Sequence, residues 1–288
     1  MEIEKQLLSA CENGQIEEVK QLLVEPEINL NFANNSGETP LLLACYKGSI
    51  AIVKLLIEDE RIDINQQNND GWTPFYVACE YGQIKIVQLL LNDQRVDLNK
   101  RTSIGWTAFM SACYTGFTKI VSLLLQSERL DVKPTFTFER TPFYVACQSG
   151  HIKVVKLLLN DRRFDINQVN YSGWSPFLVS CVEGRIKVIK LLLKDKRVDI
   201  NKTSKDGQTP LHYACYYGRL KVVQHTLASE REFYLNAIDD QGKTAISLAR
   251  EKKSTKIVEL MESFRKNPSK VRTKLRKQLG YSSKNFFF

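Results

Sequence analysis

Seven cysteines and three histidines are the residues of this 288-residue chain with the widest chemical repertoire. Thiolates attack carbonyls and ligate zinc, and imidazoles do both acid–base and metal work. His212 and Cys215 stand at i, i+3, which puts two ligands on one helical face. Two ligands do not make a metal site, and His225 is the only third candidate nearby. AIDDQGKT, residues 237–244, satisfies a relaxed phosphate-loop pattern with alanine in the first glycine position. Asp239 and Asp240 would repel a phosphate there, and Gly242 belongs to a repeated turn. Asn34-x-Ser36 and Asn170-x-Ser172 match a glycosylation sequon, with no signal peptide to bring them to the enzyme. No Ser/His/Asp or paired-carboxylate constellation can be assembled outside the repeated positions. The expectation is a protein that is not an enzyme, with no catalytic residue, metal or cofactor.

The spacing of these residues shows what must hold them. Cys11, Cys45, Cys79, Cys113, Cys147, Cys181 and Cys215 are each 34 residues apart, and so are Gly14, Gly48, Gly82, Gly116, Gly150, Gly184 and Gly218. Arg61 to Arg231, Asp63 to Asp199 and a second glycine series beginning at Gly37 keep the same step. One repeat reads physically. Gly71-x-Thr73-Pro74 ends a turn and opens a helix, with threonine as N-cap and proline at the first helical position. That helix runs to Gly82, a left-handed terminator; Ile84, Ile86, Val87, Leu90 and Leu91 then form the stripe of a second helix. Arg95 to Asn99 is expected to be extended and to lead into the next turn. Equivalent cysteines should lie one helix spacing apart, roughly 8–10 Å, too far for a disulfide, so they are expected to be small buried hydrophobes. The aspartates are expected to pair with the arginines or with turn backbone.

This pattern resembles the ankyrin repeat. Thr209-Pro210-Leu211-His212-Tyr213-Ala214 and Gly150-His151 follow that family's Thr-Pro-Leu-His-x-Ala and Gly-His segments almost verbatim. The extra residue over the family's usual period of about 33 falls between the second helix and the finger, in NDQRVDLN. The resemblance implies an all-α repeat solenoid, an ankyrin array of helix-turn-helix units joined by β-hairpin fingers. It covers about eight repeats over residues 1–262, the first and last acting as caps, and implies a non-catalytic protein-binding module.

Net charge is +9, and residues 263–288 carry eight basic and no acidic side chains, leaving +1 for residues 1–262. Asn267-Pro268 starts and Gly280 stops a helix in this basic tail, with Val271, Leu275 and Leu279 on one side. The apolar stripe docks on the last repeat, or Arg272, Lys274, Arg276 and Lys277 bind acidic lipid or nucleic acid and tether the chain as an adaptor. No run reaches the roughly 20 apolar residues of a membrane helix, and the acidic start is no secretory signal, so the chain is expected to be cytoplasmic or nuclear, and a monomer.

If repeated residues build the scaffold, individuality resides where repeats differ. The slot between finger glycine and N-cap holds Glu38, Trp72, Trp106, Arg140, Trp174, Gln208 and Lys243 in turn, taking all three tryptophans of the chain. The ends of the first helices carry Tyr46, Tyr81, Tyr114, Tyr216 and Tyr217. By resemblance both sets lie on the concave side with which ankyrin arrays grip partners, and Trp, Tyr and Arg are the residue types that dominate binding energy. A partner protein is therefore expected there, the alternative being packing across the neighbouring finger. One finger departs from the pattern: KPTFTFER, residues 133–140, has Lys133 for asparagine, Glu139 for glycine, and Phe136 and Phe138 at its tip, a further expected contact.

Overall fold

The computed structural model describes residues 2–133 and 139–281. Among these residues there are seventeen helices and no β-strand, divided between two compact units, Met1–Thr137 and Phe138–Phe288.

The first unit holds four helix pairs: α1 (Glu2–Asn13) and α2 (Ile16–Leu23), α3 (Pro40–Lys47) and α4 (Ile50–Ile57), α5 (Pro74–Glu80) and α6 (Ile84–Asn92), α7 (Ala108–Thr115) and α8 (Thr118–Leu124). Thr39, Thr73 and Thr107 cap α3, α5 and α7 by accepting from the backbone N–H three residues on. First helices stack on first helices and second on second, while each pair also packs internally. A first helix is thus covered on several sides. This explains why Phe75 to Cys79 are all buried, whereas α6 buries only the stripe Ile86, Val87 and Leu90. All seven cysteines are free and buried, six beside a small alanine and Cys181 beside Ser180. Burial pushes the Cys11 and Cys215 thiols up to about 12 and the others higher, so they remain protonated hydrophobes.

The finger segments differ from the extended strands expected. Val96 and Leu98 are buried on either side of exposed Asp97, as in a strand, yet the backbone follows turns. The reason is that side chains take over the role of a pairing strand. Asn65 donates from Nδ2 to the Arg95 carbonyl at 2.7 Å and accepts the Asp97 N–H at Oδ1 at 2.8 Å. Asn31 clips residues 61 and 63 in the same way, as Asn99 does residues 129 and 131. Fingers join edge to edge through one main-chain bond per step: Asn69 N–H to Ser36 O and Ser103 N–H to Asp70 O, each 3.0 Å.

The charged ladder is also divided differently from a simple Arg–Asp series. Asp63 and Asp97 accept finger N–H groups from Asn65 and Asn99, while Arg61 and Arg95 pair with Asp59 and Asp93 at 2.7 and 2.6 Å. The guanidinium holds the Asp93 carboxyl below its usual range. Arg95 further donates to the Ile57 carbonyl at 2.6 Å, and Arg129 to that of Leu91 at 2.6 Å. Each arginine thus reaches the negative end of the preceding second helix.

The second unit contains α9 (Pro142–Ser149) and α10 (Ile152–Asn160), α11 (Pro176–Val182) and α12 (Ile186–Lys194), α13 (Pro210–Tyr216) and α14 (Leu220–Ala228), and α15 (Ala245–Glu251) and α16 (Thr255–Lys266). The same caps, clips and stacking recur. The only non-glycine residues with positive φ among those described, Glu139 (58°) and Lys253 (54°), occupy the two glycine slots of the repeat, so the backbone demand outlasts the glycine. Phe136 and Phe138 lie outside the described residues.

A seventeenth helix, α17 (Pro268–Gln278), starts at Asn267, whose side chain accepts the Lys270 N–H, and packs on α14 and α16. It follows α16 directly, since α16 continues to Lys266. Leu275 is buried, Arg276 pairs with Glu230 at 2.9 Å, and the Tyr281 hydroxyl meets His225 Nδ1 at 2.7 Å. Burial, helped by Lys190 and Lys221, pushes the His225 imidazole down to about 4. The apolar side of the tail is therefore spent on the array.

Candidate functional site: an aromatic face on each compact unit

Each slot tryptophan is positioned by the residue four places before it. Asn68 Oδ1 accepts the N–H groups of Asp70 and Trp72 at 3.0 and 2.8 Å; Thr102 Oγ1 accepts that of Trp106 at 3.0 Å; Asn170 Oδ1 accepts that of Trp174 at 2.9 Å. The indoles consequently leave the finger at one fixed point in the repeat. All three are half-buried.

In the first unit Trp72 lies against Tyr76, ring centroids 5.3 Å apart, and Trp106 meets Tyr114 edge-on at 5.3 Å. Tyr46 and Tyr81, at equivalent ends of adjacent first helices, meet edge-on at 4.6 Å. Tyr46, Tyr81 and Tyr114 remain 42, 43 and 48% exposed. The tryptophans are thus held by neighbouring rings, and the tyrosines turn a large part of their surface outward.

In the second unit Trp174 rests on Leu178, Val182 and Tyr213, and its Nε1 donates to the Tyr213 hydroxyl at 3.1 Å. Tyr213 stacks on Tyr217, Tyr217 meets Tyr216 edge-on at 5.0 Å, and Lys252 lies 4.2 Å from the Tyr216 ring. These rings border a cleft of about 380 Å³ closed by Gln208, Lys243 and Glu251. Arg140 places its guanidinium 5.9 Å from the Tyr144 ring. Tyr213 went unnoticed in the sequence although it links Trp174 to both exposed tyrosines. The available signal was its departure from Val77, Val145 and Val179 at the same repeat position.

The remaining candidates fall elsewhere. Residues 237–244 form a finger in which Asp239 Oδ1 accepts the N–H groups of Gln241 and Lys243, so a carboxylate already fills the turn. Asn170 of the second sequon is buried and donates to the Tyr144 hydroxyl at 3.3 Å. Among the described residues no group of three His, Cys, Asp or Glu is arranged to hold a metal ion, and no helix is long and apolar enough to cross a membrane. In the tail Arg272 donates to the Leu227 carbonyl and Arg276 is paired, while Lys274 and Lys277 are exposed.

No curated protein matches the chain. The family described as ankyrin repeats (3 copies) matches residues 7–102, 94–170, 130–204, 162–232 and 177–270. Those spans include the second helices and, from α3 to α15, the capped first helices. On sequence and geometry together, this chain belongs to the ankyrin-repeat family.

Proposed function

We propose that the chain is a non-catalytic module that grips another protein through the aromatic residues beside its fingers and at the ends of its first helices, the face that is concave in ankyrin arrays. Ankyrin repeats are in general protein–protein interaction modules. The observation that carries the finer reading is where variation and exposure coincide. The repeated cysteines and the apolar residues around them are buried, whereas five tyrosines at variable positions are 38–48% exposed. Ring contacts to Trp106, Tyr213 and neighbouring tyrosines hold them before any partner arrives, which lowers the ordering cost of binding.

The test is a pull-down from cell extract with the wild-type chain, with Trp72→Ala, Trp106→Ala and Trp174→Ala combined, and with Tyr46→Ser, Tyr81→Ser and Tyr114→Ser combined. The second set removes rings already facing solvent and separates loss of contact from loss of packing. Proteins held by the wild type should be recovered at least about tenfold less well by both variants, the scale at which truncated anchor residues act. Equal recovery by all three chains would refute the reading.

A further inference from the structure

A second surface is charged. The value of +1 over residues 1–262 conceals a gradient: Met1–Thr137 carries 12 basic and 18 acidic side chains, net −6, whereas residues 138–262 carry 21 and 14, net +7, to which the tail adds eight basic residues. Part of that excess is ordered. The second residue of each second helix in this unit is a lysine: Lys153 in α10, Lys187 in α12, Lys221 in α14 and Lys256 in α16. All four are exposed, and among the described residues none is ion-paired. The first turns of these helices contain no acidic residue.

A cation in the first turn opposes the helix dipole, which favours carboxylates there, as Glu17 and Glu18 in α2 show. Folding therefore gives no reason for the lysines, which stand in all four repeats of this unit and continue a position also held by Lys85 in α6 and Lys119 in α8. Because the helices pack side by side, the lysines form a row with steps of roughly 8–10 Å. Arg185 and Arg219, each preceding the first turn of its helix, add charge beside the row while their Nε groups donate to Gln148 and Val182 carbonyls.

We infer that this row is a docking surface for an acidic, extended stretch of another polypeptide. A chain in the polyproline II conformation completes one turn in three residues and about 9 Å, so carboxylates at every third position share one side and meet successive lysines. The alternative polyanion, a nucleic acid, finds less here. Helices α10, α12 and α14 present no exposed aromatic ring for base stacking, and both arginines are tied to main chain. This surface lies on the second helices and does not rest on the aromatic face proposed above.

The experiment measures fluorescence anisotropy of two labelled probes, a 24-residue peptide with glutamate at every third position and a 24-nucleotide DNA in single-stranded and duplex form. The proteins are the full chain, its Lys153→Glu, Lys187→Glu, Lys221→Glu, Lys256→Glu variant, and a Lys270→Glu, Lys274→Glu, Lys277→Glu tail variant. The peptide should bind the wild type at low salt, weaken as salt rises, and bind the row variant at least tenfold more weakly. The row variant should melt at or above the wild-type temperature, since each substitution favours the helix dipole. The tail variant should keep its affinity within about threefold, as expected for a site centred on the row. Absence of peptide binding, equal loss in the tail variant, an unaffected row variant, or displacement of the peptide by DNA at lower concentration would each overturn the proposal.

Discussion

Gly71→Ala is expected to destabilise the first compact unit by about 3–4 kcal/mol, far more than the same change at Gly242. Both residues are left-handed, with φ of 76° and 72°. A β-carbon there costs roughly 1–2 kcal/mol in either case. The surroundings make the difference. At Gly71 the added carbon would stand 2.6 Å from the Ser103 nitrogen and 2.9 Å from the Thr102 backbone, while at Gly242 nothing lies within 4 Å. Relieving the clash separates two fingers and breaks the bonds from Ser103 N–H and Oγ to the Asp70 carbonyl, at 3.0 and 2.9 Å. Each such bond contributes about 1 kcal/mol net. Urea unfolding of the two variants should give midpoints separated accordingly; equal losses would mean that the fingers do not stabilise the stack.

His212→Ala should cost the second unit about 2–4 kcal/mol, from the cavity and from two polar groups left unpaired. The ring is fully buried and joins two repeats. Nδ1 accepts from the Thr209 N–H at 3.2 Å and from its hydroxyl at 2.7 Å, while Nε2 donates to the Lys243 carbonyl at 3.1 Å. These bonds require the neutral ring. Burial holds its pKa below the usual 6.5, against the opposing influence of the Lys243 carbonyl and Asp239. The unfolded chain therefore binds the proton first on acidification. The histidine's contribution is complete above pH 6.5 and declines below it, so the gap between wild type and variant should narrow as pH falls. A gap independent of pH would contradict the assignment of a buried neutral ring.

The repeat itself was legible in the sequence because it rests on local chemistry. Threonine and proline start most of the first helices, glycine ends most of them, and the step between cysteines measures the repeat. The bounds of α17 followed from Asn267 and Gly280 for the same reason. Features depending on the neighbouring repeat were not legible. That Asn65 would replace a strand partner needs the position of Arg95, thirty residues away. Arg61 chooses Asp59 over Asp63 because the turn after α4 brings Asp59 Oδ1 to both the Arg61 N–H and Nε at 3.0 Å. The aromatic candidates were identified from their variable positions, but Tyr213 was missed because it sits within a segment that otherwise follows the family pattern. The lysine row was visible residue by residue and was lost by averaging charge over the whole array.

The most direct measurement is hydroxyl-radical footprinting of the chain alone and bound to a protein recovered on it, because tyrosine side chains report their own exposure. Tyr46, Tyr81, Tyr114, Tyr216 and Tyr217 should react more slowly in the complex, while Tyr234, 62% exposed beyond α14, should keep its free rate. Protection of Tyr234 with unchanged rates at the five first-helix tyrosines would contradict the account.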